Sequence, residues 1–257
     1  MPSVETDERE ARAAASGGAE KRAYVKRIFS EIAPRYDLLN HLLSLNIDRS
    51  WRRRAIAALE WQRQPDGTYL DLCAGTMDLS LALATRHGFR GSVVAADFAE
   101  PMLRAGREKI ARATVTPLVA DALYLPFRRA SLAGALVAFG IRNVVDLDVA
   151  LRELRRTLGP GGRLVILEFS TPRSPIVRVA YHAYFHFVLP LVGRLVSGHP
   201  TAYRYLPRSV ANFPVADALS RRILAAGFAS VRWRSLTFGV VALHIADVSS
   251  DPAGLAA

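Results

Sequence analysis

The sequence predicts a doubly wound α/β fold, a parallel sheet with helices on both faces, and three observations lead to it. Apolar runs of strand length alternate with helical patterns, and the connections between them are short. Residues 68–82 pass from an apolar strand through the small residues 73–76 into a helix for which Asp78 is the expected N-cap. An acid, Asp97, ends the next apolar run, about twenty residues beyond that turn. These features predict the nucleotide-binding corner of such a sheet.

Two regions precede the first strand. Residues 1–20 are rich in Ala, Glu, Arg and Gly with few large apolar side chains, which predicts a disordered tail. Residues 21–65 have a helical pattern that is aromatic and basic, and we expect two or three helices that lie over the crevice as a lid. An ordinary amphipathic cap, with arginines 52–54 on a solvated face, stays open as the alternative.

The remaining elements follow in regular order. We predict strands 92–97, 114–119, 133–139 and 163–169, a helix over 101–113, and a helix from Asp146 that the glycine-rich stretch 159–162 stops. A helix over 215–226 and two closing strands, 229–236 and 240–248, complete the expected sheet, and residues 251–257 are an expected loose tail. Residues 172–212 interrupt the alternation as an insertion within one domain over 21–250.

The turn after the first strand indicates the class of ligand. A pyrophosphate-binding turn has the pattern G-x-G-x-x-G, but here only Gly75 is kept, with Cys73 and Met77 at the neighbouring alternate positions. S-adenosylmethionine has no phosphates and places less demand on glycine. Asp97 lies where a carboxylate meets ribose hydroxyls, although it could instead cap the helix near Pro101. The turn and the acid favour S-adenosylmethionine over NAD.

Composition limits the location and the partners. Cys73 is the only cysteine, so no disulfide forms within the chain and a cytoplasmic location is expected. No uninterrupted apolar run reaches the roughly 18–20 residues that span a bilayer, and no secretory signal is recognisable. The net charge of +11 attracts anionic surfaces, but no base-flipping motif or stacking platform indicates nucleic acid. The only metal-like spacing, His182 with His186, has no accompanying acid, and we expect no metal.

Six longer motifs are more specific than the fold pattern. Residues 29–40, 71–76, 139–144, 168–170, 202–207 and 240–244 resemble the UbiE/COQ5 family of demethylmenaquinone and ubiquinone-pathway C-methyltransferases. The resemblance runs from about residue 24 to residue 248. It implies a class I S-adenosylmethionine-dependent methyltransferase fold, with a seven-stranded sheet, an N-terminal helical lid and a helical insertion after strand 5. It also implies methyl transfer to a ring carbon of a polyprenyl quinol, with demethylmenaquinol favoured and a benzoquinol as the alternative.

The same resemblance assigns cofactor-binding residues: Asp71, Gly75, Thr76, Asp97, Asp121, Ala122 and Ala138. Thr76 would contact the methionine part of the cofactor, Asp97 the ribose hydroxyls, and Asp121 with the Ala122 backbone the adenine edge. Ala138 stands where some members have a serine, so a side-chain hydrogen bond there is lost.

Met77 departs from the family pattern, which has a glycine between Thr76 and Asp78. A bulky side chain at this position is strained if the backbone φ is positive. Impaired cofactor binding would make the chain a non-catalytic scaffold for quinone-pathway enzymes, and this alternative stays open.

Arg142 is the first candidate for catalysis because it follows the fourth strand at the mouth of the crevice. A guanidinium there would stabilise a developing phenolate or orient a water that acts as base. The predicted substrate-binding residues are Tyr36, Asp37, Asn40, Asn143, Tyr203 and Arg204.

Residues 176–196 are apolar and aromatic with scattered basic side chains. They predict either a buried helix pair or a lid that admits a polyprenyl tail at an anionic membrane surface, with the protein peripheral to the inner face of the cytoplasmic membrane. A homodimer, or a complex with other quinone-pathway enzymes, stays open.

Overall fold

The computed structural model describes residues 19–184 and 202–251, in which seven strands form one sheet. They are β1 Thr68–Leu72, β2 Ser92–Asp97, β3 Val115–Val119, β4 Leu132–Ala138, β5 Leu158–Phe169, β6 Ser230–Leu236 and β7 Val241–Asp247. Their order is β3-β2-β1-β4-β5-β7-β6, with β1 to β5 parallel and β7 antiparallel to both of its neighbours. The predicted strands other than β5 are confirmed to within a residue or two at each end.

Helices cover both faces of this sheet. They are α1 Ala19–Ile32, α2 Tyr36–Leu43, α3 Ile47–Leu59, α4 Asp78–Ala84, α5 Glu100–Gly106, α6 Leu147–Thr157, α7 Pro175–Ala183, α8 Ala202–Ala211 and α9 Ala216–Ala225. The last two residues of the predicted tail are already helical, and residues 1–18 and 252–257 lie outside the described chain. The predicted insertion is described only where α7 and α8 flank residues 185–201. None of the described helices is both long and apolar enough to cross a membrane.

Alternation along the central strands places a core on each face of the sheet. Tyr69 packs with the cluster that includes α3 and α4, whereas the next residue, Leu70, packs with the cluster that includes α6 and α9. In α6 the buried residues Leu151 and Leu154 share one face. Asp146 caps this helix as predicted, because its carboxylate accepts from the backbone N–H of the second and third helical residues.

Two predicted element boundaries are wrong. The glycine-rich stretch 159–162 follows the C-terminus of α6 at Thr157, as predicted, but it already belongs to β5, which begins at Leu158, where it pairs with Leu132, and not at Arg163. A register shift in this pairing absorbs the extra residues before Arg163. The helix predicted over 101–113 is α5 followed by a 3₁₀ turn, Arg107–Ile110.

The three N-terminal helices form the predicted lid. Tyr24, Val25 and Ile28 of α1 pack with Tyr181 of α7 and Tyr205 of α8. This aromatic cluster lies beside the carboxyl ends of the parallel strands. Arg53 and Arg54 are exposed, which agrees with the solvated-face interpretation, but that interpretation is wrong for Arg52, whose side chain is 15% exposed and pairs with Asp48.

Candidate active site

The site is built where the turns after β1 and β4 meet. Gly140 approaches Cys73 so closely that a Cβ on the glycine would lie 2.2 Å from the Cys73 Cβ. Left-handed backbone recurs at alternate residues of the first turn, with φ of 58° at Cys73, 56° at Gly75 and 66° at Met77. The two turns therefore lie edge to edge and open a crevice between β1 and β4.

Four of the predicted cofactor residues line this first cavity: Gly75, Asp97, Asp121 and Ala122. The Gly75 backbone N–H donates to Asp97 Oδ2 at 2.9 Å, and the Ala99 N–H donates to Asp97 Oδ1 at 2.8 Å. Ala99 is the residue before α5, so the carboxylate braces the start of that helix while it faces the crevice. The contact with the start of α5 supports the capping interpretation of Asp97, whereas contact with ribose hydroxyls stays a prediction.

The lid closes over the far end of the first cavity. Asp121 accepts from the Leu123 N–H at 3.0 Å and forms an ion pair with Arg22 of α1 at 2.7 Å. Arg22, Phe29 and Tyr36 of the lid all line the cavity, whose volume is about 60 Å³. Small-molecule sites typically hold roughly 300–1,000 Å³. Access for a nucleoside-sized ligand therefore requires the lid to move.

Three predicted cofactor residues, Asp71, Thr76 and Ala138, do not line this cavity in the part of the chain that the structure describes. Asp71 is buried behind the turn and accepts from Ser80 Oγ at 2.5 Å. Thr76 is also buried, and its hydroxyl donates to Asp37 Oδ1 of the lid. Ala138 packs against the core cluster on the α3 side of the sheet.

Burial raises the pKa of Asp71 from the ordinary 3.8 to about 7, although the Ser80 hydrogen bond lowers it. The folded state then holds this proton more tightly than the unfolded state does. Asp71 contributes stability that is fully present below about pH 4 and is lost as the pH rises to about 7. We expect Asp71→Asn to reduce the fall in unfolding free energy between pH 5 and pH 8, as measured by urea unfolding. An equal fall in both proteins would contradict this.

Burial first, and then the nearby Asp97, Glu168 and Asp71, raise the pKa of the Cys73 thiol, whereas Arg142 lowers it. The thiol therefore stays protonated in the neutral range. The buried Asn143 Oδ1 also lines the cavity and has no hydrogen-bond partner among the described residues.

Met77 replaces the glycine of the family pattern and has a positive φ, the backbone geometry that strains a bulky residue. Its side chain is nevertheless fully buried in the core cluster of α3 and α4. It does not line the described crevice. Met77 also takes the cap position of α4, so the expectation that Asp78 is the N-cap is wrong. The Asp78 carboxylate instead accepts from Lys109.

We expect Met77→Gly to destabilise the fold by about 1–4 kcal/mol. Relief of left-handed strain returns only about 1–2 kcal/mol, whereas loss of a buried Met side chain costs about 2–5 kcal/mol. Cofactor affinity should change little, because the side chain points away from the crevice. Chemical unfolding and calorimetric titration measure the two effects; a gain in stability, or affinity raised tenfold, would contradict this account.

A second cavity, of about 360 Å³, adjoins the first. Phe29, Tyr36 and Phe139 line both cavities and form a shared aromatic wall. The rest of the second cavity is mainly apolar and aromatic, with polar groups that include Asn40 and Arg142. It is lined by Ile28, Ile32, Leu43, Ser44, Leu45, Ile47, Asp48, Trp51, Arg52, Phe169, Val177, Tyr181, Tyr184, Tyr205, Leu206, Thr237 and Val240.

Arg142 is buried at the floor of the second cavity beside Glu168. Its Nη1 donates to Glu168 Oε1 at 2.8 Å and to the Phe139 carbonyl, and the guanidinium carbon lies 5.4 Å from the centre of the Phe169 ring. Glu168 also accepts from the Phe169 N–H at 2.9 Å. Burial raises the pKa of Glu168, although Arg142 and the backbone donors lower it. The carboxyl group thus fixes one edge of the guanidinium.

The predicted substrate residues divide among different places. Tyr36 and Asn40 line the second cavity, whereas Asn143 lines only the first. Asp37 lines neither cavity and contacts Thr76 and Lys109 instead. Tyr203 and Arg204 lie in α8, but their side chains lie outside what the structure describes, as do those of the His182–His186 pair. Within the described ranges, no cluster of His, Cys, Asp and Glu could hold a metal ion.

Sequence reasoning missed Glu168 and Lys109 as parts of the site. Glu168 had a signal, since it is an acid at the carboxyl end of a buried strand, the feature that identified Asp97. Lys109 had none, because it meets Asp37 across 72 positions of sequence.

Comparison with known proteins places these features in one family. The sequence model of the ubiE/COQ5 methyltransferase family matches residues 18–247. Demethylmenaquinone methyltransferase of Thermus thermophilus is 51% identical over 222 residues, covering 86% of this chain and 99% of that protein. Ubiquinone/menaquinone biosynthesis C-methyltransferase UbiE of Geobacter sulfurreducens is 41% identical over 229 residues and covers 88% of each chain.

Solved structures agree on the fold. A SAM-dependent methyltransferase of Thermotoga maritima, described as a possible histamine N-methyltransferase, superposes with a TM-score of 0.60. It is 18% identical, and the match covers 88% of this chain and 99% of that one. At that identity the likeness speaks for the class I methyltransferase fold alone.

Proposed function

The chain belongs to the ubiE/COQ5 methyltransferase family, and from that membership we propose that it methylates a ring carbon of demethylmenaquinol with S-adenosylmethionine, in menaquinone biosynthesis. The observation that carries the proposal is the pair of adjoining cavities. One contains the Asp97 and Asp121 carboxylates, the other is mainly apolar and aromatic, and they share the wall of Phe29, Tyr36 and Phe139. A methyl group can pass between two ligands only if their sites meet in this way.

The first cavity fits S-adenosylmethionine by the chemistry of its groups. The Asp97 and Asp121 carboxylates can accept from ribose hydroxyls and from the adenine amino group, and the unpartnered Asn143 Oδ1 offers another acceptor. When bound, the cofactor supplies a methyl group on a positively charged sulfur.

The second cavity fits a quinol ring. A ring carbon is nucleophilic only in the reduced quinol, most of all once one hydroxyl is ionised. Arg142 would stabilise the phenolate oxygen, or orient a water that removes the phenolic proton. As the carbon–methyl bond forms, the methyl–sulfur bond breaks, and the ring then loses its proton to solvent. Burial raises the pKa of Tyr205 to about 12, so this phenol stays a hydrogen-bond donor at neutral pH.

The test is an anaerobic assay with S-adenosylmethionine and reduced demethylmenaquinone, read by mass spectrometry. We expect a gain of one methyl group with the reduced substrate and none with the oxidised quinone. A matched demethylated benzoquinol tests the alternative substrate. Faster turnover of the benzoquinol, or no methylation of either quinol, would overturn the assignment.

Exposed apolar side chains lie beside the second cavity. Leu45, Ile176, Val179 and Phe238 are exposed large apolar side chains, and their neighbours Ser44, Val177 and Thr237 line the cavity. We propose that this surface docks on the anionic inner face of the cytoplasmic membrane and receives the polyprenyl tail, helped by the charge of +11. Flotation with phosphatidylglycerol vesicles should capture the protein, and Phe238→Ser should weaken capture. No capture at low salt would remove the proposal.

A further inference from the structure

A cluster of charged side chains lies outside both cavities. Lys109 Nζ donates to Asp78 Oδ1 at 2.7 Å, to Asp37 Oδ2 and to the Thr76 carbonyl at 3.3 Å. Thr76 Oγ1 donates to the other oxygen of the Asp37 carboxylate. We refer to Lys109, Asp37, Asp78 and Thr76 as the Lys109 clamp.

The clamp joins three separate pieces of the fold. Asp37 belongs to the lid helix α2, Thr76 to the turn after β1, and Asp78 to the start of α4. Lys109 follows α5, whose last residue, Gly106, lies against the turn so closely that a Cβ would be 2.2 Å from the Thr76 carbonyl oxygen. No side chain larger than hydrogen allows this approach, and the approach brings Lys109 to the turn.

The clamp is partly shielded from water. The exposed fractions of the Lys109, Asp37 and Asp78 side chains are 28%, 31% and 22%. Burial lowers the pKa of Lys109, but the hydrogen bonds with Asp37 and Asp78 outweigh burial and raise it. The ammonium therefore stays charged in the neutral range. By contrast, Arg104 and Glu100 on α5 form an exposed ion pair, and such pairs contribute little to stability.

The position of Asp37 relates the clamp to the chemistry. Its neighbour Tyr36 is part of the wall between the two cavities, and Tyr36 also lies 3.6 Å from where a Cβ on Gly75 would be. Gly75 donates to Asp97, and Thr76 donates to Asp37, so adjacent residues of one turn contact the cofactor crevice and the lid. The 60 Å³ crevice requires the lid to open and close, and the clamp is a contact that opening would break.

We propose that Lys109 is a positioning residue that couples cofactor binding at the turn to closure of the lid. It holds Asp37, and through Asp37 it places Tyr36 at the wall between the cavities. A bound cofactor orders the turn and so places Thr76 and Asp78 where they contact Asp37 and Lys109. These contacts hold α2 in the closed position. The coupling is reciprocal, so loss of the clamp weakens cofactor binding from outside the site. The proposal rests on the cofactor assignment above.

The test compares the full-length protein with Lys109→Met, Asp37→Asn and the double variant, and uses Arg104→Met, on the preceding helix α5, as the control. S-adenosylhomocysteine is the probe, by calorimetric titration, and hydrogen exchange of residues 19–59 reports lid closure. We expect Lys109→Met to weaken binding about tenfold, within the usual range of coupling between sites, and to abolish the ligand-induced protection of the lid. The double variant should be no worse than Lys109→Met, and Arg104→Met should match the wild type.

The proposal would be overturned if Lys109→Met bound S-adenosylhomocysteine as tightly as the wild type and kept the ligand-induced protection of the lid. It would also be overturned if Arg104→Met lost as much affinity and protection as Lys109→Met. Additive losses in the double variant would also overturn it, because independent effects imply no shared contact. Asp37→Asn keeps the side-chain shape and tests the same contact if Lys109→Met does not fold. Failure of the wild type itself to bind S-adenosylhomocysteine would instead overturn the cofactor assignment.

Discussion

Replacing Arg142 with Ala lowers turnover about 10²–10³-fold, the usual effect of removing one group that stabilises a developing oxyanion. Cofactor affinity should stay within a few-fold of the wild type. Arg142 lines the second cavity, whereas Gly75 and Asp97, which we propose to bind the cofactor, line the first. Single-turnover methylation of the reduced quinol and titration with S-adenosylhomocysteine measure the two effects separately.

Arg142→Lys is the informative companion variant. It keeps a positive charge but loses the planar guanidinium, whose Nη1 donates to both Glu168 and the Phe139 carbonyl. If charge alone acts on the phenolate, Lys restores most of the turnover; if orientation matters, it restores little. Equal losses of turnover and cofactor affinity in Arg142→Ala would contradict the catalytic role and move Arg142 into the cofactor site.

The strands of this protein were predictable because their signal is local. Buried parallel strands are short apolar runs, and in β2 the run ends in the acid that the fold class predicts at that edge. The start of α6 was predictable for the same reason, since one side chain, Asp146, satisfies the first free N–H groups. The glycines before Arg163 do follow the end of α6, but their place in β5 was missed because it depends on irregular pairing with β4, for which the sequence has no local signal.

The division of the site between its two cavities was not predictable. Tyr36 and Asp37 are adjacent, yet one side chain forms the shared wall and the other turns away to Thr76 and Lys109. Arg142 and Asn143 are likewise adjacent, but Asn143 faces the first cavity and Arg142 the second. A motif names the residues of a site, whereas the direction of each side chain depends on packing between segments far apart in sequence. The family pattern gave a set of residues, of which some line the two cavities and others do not, and the role of each stays a prediction.

Replacing Glu168 with Ala should have the largest effect on stability, a loss of about 3–5 kcal/mol, because it leaves the Arg142 guanidinium buried without its carboxylate. The reverse change is milder. When Arg142 is removed, Glu168 can take up a proton, which its raised pKa already favours, whereas a guanidinium cannot discharge. We therefore expect Arg142→Ala to destabilise the fold less than Glu168→Ala does, although both break the same pair.

Glu168→Gln separates charge from shape. The amide oxygen can still accept hydrogen bonds from Arg142 and from the Phe169 N–H. The free energy of unfolding of Glu168→Gln should therefore fall between those of the wild type and Glu168→Ala. Urea unfolding of the three single variants and of Arg142→Met/Glu168→Leu measures this order. The double variant should recover much of the loss, since two apolar side chains leave no buried charge. An Arg142→Ala variant less stable than Glu168→Ala would contradict this order. The ion pair would then not be what stabilises the floor of the second cavity. The Glu168 carboxylate would instead act through the hydrogen bonds that it accepts from backbone N–H groups.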